Sequence, residues 1–217
     1  MIKNIILDLD GTLAKTHPDI LSSLKFSLRK KKIKKKVNFK KFKSLANNGS
    51  YNMIKNLIGG KNNFLINELN KLFLRHYKNN ICIKSKLKTN VLFFLKYCKN
   101  NNIHLFVSTN KSEKNAKLLL KKLKILNFFK FVAGYDTFNY KKPNPLHLEM
   151  LRKKFKIKKF QTIYIGDSEI DSKLAKRFKI KFILIKKGYT HINHADIFYN
   201  YAFSNFTQIP SLIKKLS

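Results

Sequence analysis

The chain has 217 residues, 44% of them hydrophobic, and carries 47 Lys and Arg against 11 Asp and Glu, a net charge of +36. That length and apolar content suit one domain or a core with an insert, and no apolar stretch reaches the length of a membrane span. Two cysteines, Cys82 and Cys98, build no disulfide framework, so the chain reads as a protein of the reducing cytoplasm with no membrane partner.

The charge admits a polyanion such as nucleic acid as partner. Yet Lys, Asn, Ile and Phe are all abundant, Trp is absent, and the lysines run through the whole chain without an interleaved aromatic-basic motif. Compositional bias is the plainer reading, with non-specific, salt-sensitive polyanion binding as its consequence.

In chain order, residues 4 to 9 read as a buried strand. Asp8 and Asp10 interrupt the apolar run, so the N-terminus does not read as a signal peptide. From about Ala14 to Ile83 apolar residues recur at helical spacing: Ile20, Leu24, Leu28; Phe39, Phe42; Ile54, Leu57, Ile58; Leu65, Leu69, Leu72, Phe73. No strand is predicted there, so residues 14–83 form a helical insert. The basic run from Arg29 to Lys36 reads as a solvated helix end rather than a targeting signal. From Lys84 helix and strand alternate: helix 86–99, strand 104–108, helix 112–123, strand 131–133, helix 145–155, strand 162–165, helix 168–178, strand 181–185 and a closing helix 206–216. Asn47-Asn48 and Asn100-Asn101-Asn102 read as loops. The alternation predicts an α/β fold, a doubly wound parallel sheet with helices on both faces.

Chemistry gathers where strands end. Asp8 and Asp10, spaced i and i+2, fall on the same side of a strand, and Gly11 then permits a sharp turn. Thr109-Asn110-Lys111 follows a second strand, Lys142-Pro143-Asn144-Pro145 is a loop before a helix, and Gly166-Asp167-Ser168-Glu169-Ile170-Asp171 follows another strand. The carboxyl ends of parallel strands open on one edge, which predicts that Asp8, Asp10, Thr109, Lys142, Asp167 and Asp171 converge. Two carboxylates ~4 Å apart repel by about 4 kcal/mol at an effective dielectric of ~20, so such a cluster calls for a cation. All-oxygen ligands favour Mg²⁺, and Lys142 and Thr109 suit a phosphoryl group.

Taken together and in order, Asp8-Leu9-Asp10-Gly11-Thr12-Leu13, Thr109-Asn110, Lys142 and Gly166-Asp167-Ser168-x-x-Asp171 resemble the four motifs of the haloacid dehalogenase-like hydrolase superfamily. Gly134-Tyr135-Asp136-Thr137, Gly188-Tyr189 and Ala195-Asp196 resemble its phosphoglycolate phosphatase branch, although Lys15-Thr16 stands where that branch usually carries Asp-Ser. The resemblance implies a Rossmann-like core of residues 1–13 and 84–217 and an α-helical cap of residues 14–83. It implies that Asp8 is the nucleophile and Asp10 the general acid/base. Asp8, the Asp10 carbonyl and Asp167 would hold Mg²⁺, with Asp171 acting directly or through water. Thr109, Asn110 and Lys142 would bind phosphate. An acid at position 10 fits a phosphoester, whose alkoxide needs a proton, rather than a halide. The implied function is Mg-dependent hydrolysis of a small phosphorylated metabolite. A phosphosugar mutase, a nucleotide phosphatase and, more remotely, a non-enzymatic nucleic-acid binder are the alternatives.

Other features read blandly. His191-x-x-His194 lacks a third ligand at zinc spacing. Cys82 and Cys98 read as small apolar residues. His17 and Arg75 lie in the insert without a decided role, and Gly59-Gly60 reads as a helix end.

Overall fold

The computed structural model describes residues 1–46 and 49–216, so the predicted loop at Asn47-Asn48 lies outside the described residues. In chain order the strands are β1 (Asn4–Leu7), β2 (Ala14–Lys15), β3 (Lys86–Leu87), β4 (His104–Ser108), β5 (Phe129–Ala133), β6 (Thr162–Gly166), β7 (Lys181–Ile185) and β8 (Tyr201–Phe203). The helices are α1 (His17–Lys30), α2 (Phe39–Lys43), α3 (Gly49–Ile58), α4 (Asn63–Asn80), α5 (Val91–Asn100), α6 (Glu113–Lys122), α7 (Leu146–Phe155), α8 (Glu169–Phe178) and α9 (Ile209–Lys215). Six strands form one sheet in the order β5-β4-β1-β6-β7-β8, every neighbouring pair parallel.

All four residues of β1 are buried, because side chains alternate between two covered faces. Ile5 and Leu7 join Leu105, Val107, Ile163 and Ile165 on the face packed by α5, α6 and α9. Ile6 joins Phe106, Tyr164 and Phe182 on the other, against Leu148 and Leu151 of α7 and Leu174 and Phe178 of α8. The sheet is therefore doubly wound, as its apolar strand runs predicted. With β1 central and its neighbours β4 and β6 on either side, the crevice at their carboxyl ends is where such folds bind ligands. No helix among the described residues is long and apolar enough to cross a membrane.

Four helices, α1 to α4, lie between β2 and β3. Ile20, Leu24 and Leu28 line the buried stripe of α1, and Ile66, Leu69, Phe73 and Tyr77 that of α4, against which it packs. The predicted α4 stripe was off by part of a turn: Leu65 and Leu72 are only half-buried. Helix α1 ends at Lys30, and Lys31, Lys32, Lys34, Lys35 and Lys36 beyond it are exposed, a solvated end as expected.

Several boundaries need correction. β1 stops at Leu7, not at residue 9. Ala14–Lys15 pairs antiparallel with Lys86–Leu87 where the chain leaves and re-enters the sheet domain, so the expected absence of strand there and the helix from residue 86 are both wrong. Asn100 ends α5 rather than lying in a loop. β8 escaped the sequence reading because it is a three-residue, half-buried edge. None of these short pieces is long enough to display a period.

One buried acid ties the insert to the sheet domain. Asp19, in the first turn of α1, accepts from the Lys84 and Ser85 amides at 2.8 Å each and from the Ser85 hydroxyl at 2.6 Å. Removing the carboxylate strands three donors at a site where it is only 3% exposed. Asp19→Ala is expected to lower unfolding free energy by roughly 3 kcal/mol in urea titration. A loss below about 1 kcal/mol would mean that water replaces it.

Candidate active site

The site is built where β1, β4 and β6 end. After Leu7 the chain stays extended for one residue, the Asp8 amide donating to the Ile165 carbonyl at 2.9 Å. It then turns at Gly11, whose φ of +91° lies in the left-handed region. A Cβ on Gly11 would sit 2.3 Å from Asp167 Oδ2, and one on Gly188 would sit 2.2 Å from the same atom. Both glycines are thus demanded by how closely the backbone approaches that carboxylate.

Asp8, Asp167 and Asp171 are buried, and one carboxylate oxygen of each lies within 4.8 Å of the others. Lys142 is the cation among them: its Nζ donates to Asp8 Oδ1 at 2.6 Å, to Asp171 Oδ1 at 2.7 Å and to the Tyr164 hydroxyl at 3.3 Å. All three of its donors are engaged. The Thr12 hydroxyl lies 2.7 Å from Asp167 Oδ1 and 3.2 Å from Asp8 Oδ2, and the Tyr189 amide donates to Asp167 Oδ2 at 2.6 Å.

Lys142 stands among three buried carboxylates, with Lys88 also acting on Asp167, so the acids outnumber the cations at this end of the cavity. Burial pushes the Asp8 carboxyl well up; Lys142 opposes this, and the Asp171 and Asp167 charges add to it. Asp167 is pushed up to about 6 by burial and then by Asp171. Burial pulls the Lys142 ammonium down, but Asp171 and Asp8 outweigh it and hold it well above its ordinary value. The causes differ: burial dominates for the two acids, with the neighbouring acids adding to it, whereas the charged partners of Lys142 outweigh its burial.

Asp171 is saturated from both sides. Its Oδ2 accepts from the Ser168 hydroxyl at 2.7 Å and the Ser168 amide at 3.2 Å, closing a capping box at the start of α8, while its Oδ1 meets Lys142 and Tyr164. Asn110 is likewise committed: its Oδ1 accepts from the Lys142 amide at 2.8 Å and its Nδ2 donates to the Lys142 carbonyl at 3.2 Å. The side chain holds the Lys142 loop. Thr109 is 1% exposed at the end of β4 and lines the same cavity.

Asp10 faces that cavity too but not the three-acid cluster. Its Oδ1 accepts from the Thr16 hydroxyl at 2.5 Å, and its Oδ2 pairs with Lys111 Nζ at 3.0 Å. Both acids lie beyond the end of β1 at Leu7 and before the Gly11 turn, and both line one cavity. Lys111 and Tyr189 are residues that sequence reasoning missed as parts of the site. The Tyr189 hydroxyl accepts from the Thr16 and His17 amides at 2.5 and 2.9 Å, which caps the start of α1. Its ring meets Phe42 edge-on at 5.3 Å. The cavity, about 670 Å³, runs from these acids to α4, and Arg75 lines it. His17 packs 4.2 Å from Phe39 instead. His191 and His194 join no cluster of potential metal ligands among the described residues. Cys98 is a core residue whose thiol burial pushes up to about 12.

Comparison with known proteins places this geometry. Residues 5–185 match the family model described as haloacid dehalogenase-like hydrolase. A phosphoglycolate phosphatase of Mesorhizobium japonicum is 33% identical over 190 residues, spanning 86% of this chain and 83% of the relative. Another, of Agrobacterium fabrum, is 28% identical and spans 97% of this chain and 92% of its own. A crystal structure of a predicted phosphoglycolate phosphatase from Haemophilus somnus superposes with a TM-score of 0.91 at 24% identity, covering 97% of each chain, a likeness of fold. The chain belongs to the haloacid dehalogenase-like hydrolase family, with phosphoglycolate phosphatases among its relatives.

Proposed function

We propose that this phosphatase hydrolyses a small, phosphoglycolate-like phosphomonoester with Mg²⁺ as cofactor. The observation that carries the reading is the meeting of Asp8, Asp167 and Asp171 around a single ammonium, Lys142. The donor set fits a divalent ion on its own chemistry: the acids are hard oxygen ligands, buried, and left with excess negative charge. Asp8, Asp167 and the Asp10 carbonyl would hold the ion. Asp171, its oxygens already engaged, would act through water and by orienting Lys142. Bound there, Mg²⁺ neutralises charge on the phosphoryl oxygens.

The chain's own groups divide the work. An Asp8 oxygen attacks phosphorus as the bond to the leaving oxygen breaks, giving an aspartyl-phosphate. Asp10, protonated, delivers its proton to the departing alkoxide. As a carboxylate it then takes a proton from the water that attacks phosphorus, which frees Asp8 and inorganic phosphate. Lys142 supplies positive charge beside the transferring group and orients Asp8, and Thr109 holds a phosphoryl oxygen, with Asn110 fixing the Lys142 loop. Residues 14–83 act as a cap over a core of 1–13 and 84–217, closing to exclude water during transfer. That division is supported by the β2–β3 pair at the two crossings and by a cavity lined from both sides. The free cysteines suit a cytoplasmic setting, and the +36 charge suits weak, salt-sensitive adherence to polyanions.

Asp8→Asn is expected to cut hydrolysis of p-nitrophenyl phosphate at least about a thousandfold; near-normal turnover would remove Asp8 from the nucleophile role. Asp10→Asn is expected to cost on the order of a hundredfold or more with an alkyl phosphate. The loss should be much smaller with p-nitrophenyl phosphate, whose leaving group needs little protonation. Equal losses on both substrates would count against Asp10 as the acid.

The raised carboxyls also set a pH signature. Asp167 moves from an ordinary 3.8 to about 6 in the metal-free fold, so the folded state binds the extra proton and stability falls as pH rises between those values. Relative to Asp167→Asn, metal-free wild type should lose thermal stability from about pH 4 to about pH 6. Mg²⁺ should raise the melting temperature more at pH 7 than at pH 5. A stabilisation independent of pH would place the ion elsewhere.

A further inference from the structure

Lys111 is a buried cation that the phosphoryl chemistry leaves unused. With 47 Lys and Arg in the chain a surface lysine needs no explanation, but the Lys111 side chain is only 9% exposed. Its backbone is held on both sides, the amide donating to the Thr109 hydroxyl at 3.2 Å and the carbonyl accepting from the Tyr135 amide at 3.1 Å. Its Nζ pairs with Asp10 Oδ2 at 3.0 Å and donates to the Tyr77 hydroxyl of α4 at 3.0 Å, with the Tyr77 ring centroid 4.6 Å away. An ammonium has three donors. Two are committed here, and the residue lines the cavity that Asp8 and Asp10 share.

We infer that Lys111 is a specificity-determining residue that binds a carboxylate carried by the leaving alcohol, one or two carbons from the bridging oxygen. The inference rests on the phosphatase reading above. In that reading Asp10 touches the leaving oxygen, so an ammonium 3.0 Å from the Asp10 carboxylate stands beside whatever that oxygen is attached to. One N–H remains, and once Asp10 carries the proton it gives to the leaving oxygen the Lys111 charge is free to match one carboxylate, whereas a second phosphate offers more charge and acceptors than that donor can meet. Tyr77 supplies the other half of the arrangement. It reaches Lys111 from α4, so the carboxylate contact is complete only while α4 stands over the sheet edge.

The test compares three substrates across wild type, Lys111→Met and Tyr77→Phe: 2-phosphoglycolate, ethyl phosphate of matching length without the carboxylate, and p-nitrophenyl phosphate. Loss of a charge-assisted hydrogen bond predicts that Lys111→Met lowers kcat/KM for 2-phosphoglycolate by roughly 10- to 100-fold more than for the other two. Tyr77→Phe, which keeps the ammonium and the ring, should shift the same ratio in the same direction by a smaller factor, mainly through KM. Equal losses on all three substrates would overturn the inference, because Lys111 would then act only through Asp10. An unchanged ratio in Tyr77→Phe together with an unfolded Lys111→Met would overturn it as well. Wild type that hydrolyses none of the three would instead overturn the phosphatase reading beneath it.

Discussion

The Lys142 ammonium is the constraint on which the rest of this structure depends. It is 6% exposed and meets Asp8 and Asp171 at 2.6 and 2.7 Å. A buried cation is tolerable only with its partners in place, and three buried carboxylates are tolerable only with a cation. Each side therefore specifies the other, although they come from segments 134 and 29 residues apart. The loop that delivers Lys142 is fixed by the Asn110 amide, the β6 end that delivers Asp167 by Thr12 and Tyr189, and Asp171 by its capping box. Nearly every polar contact at this edge serves to hold a charge that could not stand alone.

The balance is incomplete, and the incompleteness is itself informative. Burial raises Asp8 and Asp167 first, and the charges of the neighbouring acids add to it against the opposing charge of Lys142 on Asp8 and of Lys88 on Asp167. If stability were the only demand, one acid fewer would serve better. The pocket is floored by main chain at two crowded glycines, Gly11 and Gly188, and its acids outnumber the ammonium groups that meet them, an arrangement more typical of functional sites than of structural ion-pair networks. Asp8 itself is held in place there by the short hydrogen bond from Lys142.

Much of this was legible in the sequence, for identifiable reasons. β4 and β7 were placed to the residue because a strand buried on both faces is an unbroken apolar run. Asp8, Thr109, Asp167 and Asp171 were legible because each lies just beyond such a run, and a parallel sheet sends those ends to one edge; Lys142 was legible only from the resemblance and from its place in a loop before a helix. What was not legible depends on contacts across long sequence gaps. Lys111 follows β4 as Thr109 does, but its sequence position does not say that its side chain lies between Asp10 and Tyr77; only the fold brings it there. Tyr189 as the cap of α1, 172 residues away, is hidden for the same reason. The two-residue β2 and β3 were invisible because so short a strand has no period.

The composition bears on function once the acids are located. A chain at +36 can lose an exposed carboxylate with little effect on its fold, since isolated surface ion pairs contribute little. Of its 11 acids, Asp8, Asp10, Asp167 and Asp171 line one cavity, and Asp19 is buried at the junction between insert and sheet domain. Nearly half of the negative charge is thus spent in and beside one crevice of an otherwise cationic molecule. Lys78, Lys111, Lys114 and Lys141 line the same cavity as these acids, so positive charge borders the acidic cluster. Charges of both signs thus stand side by side in one crevice, and in a chain so short of acids it is the carboxylates there, not the lysines, that composition alone does not explain.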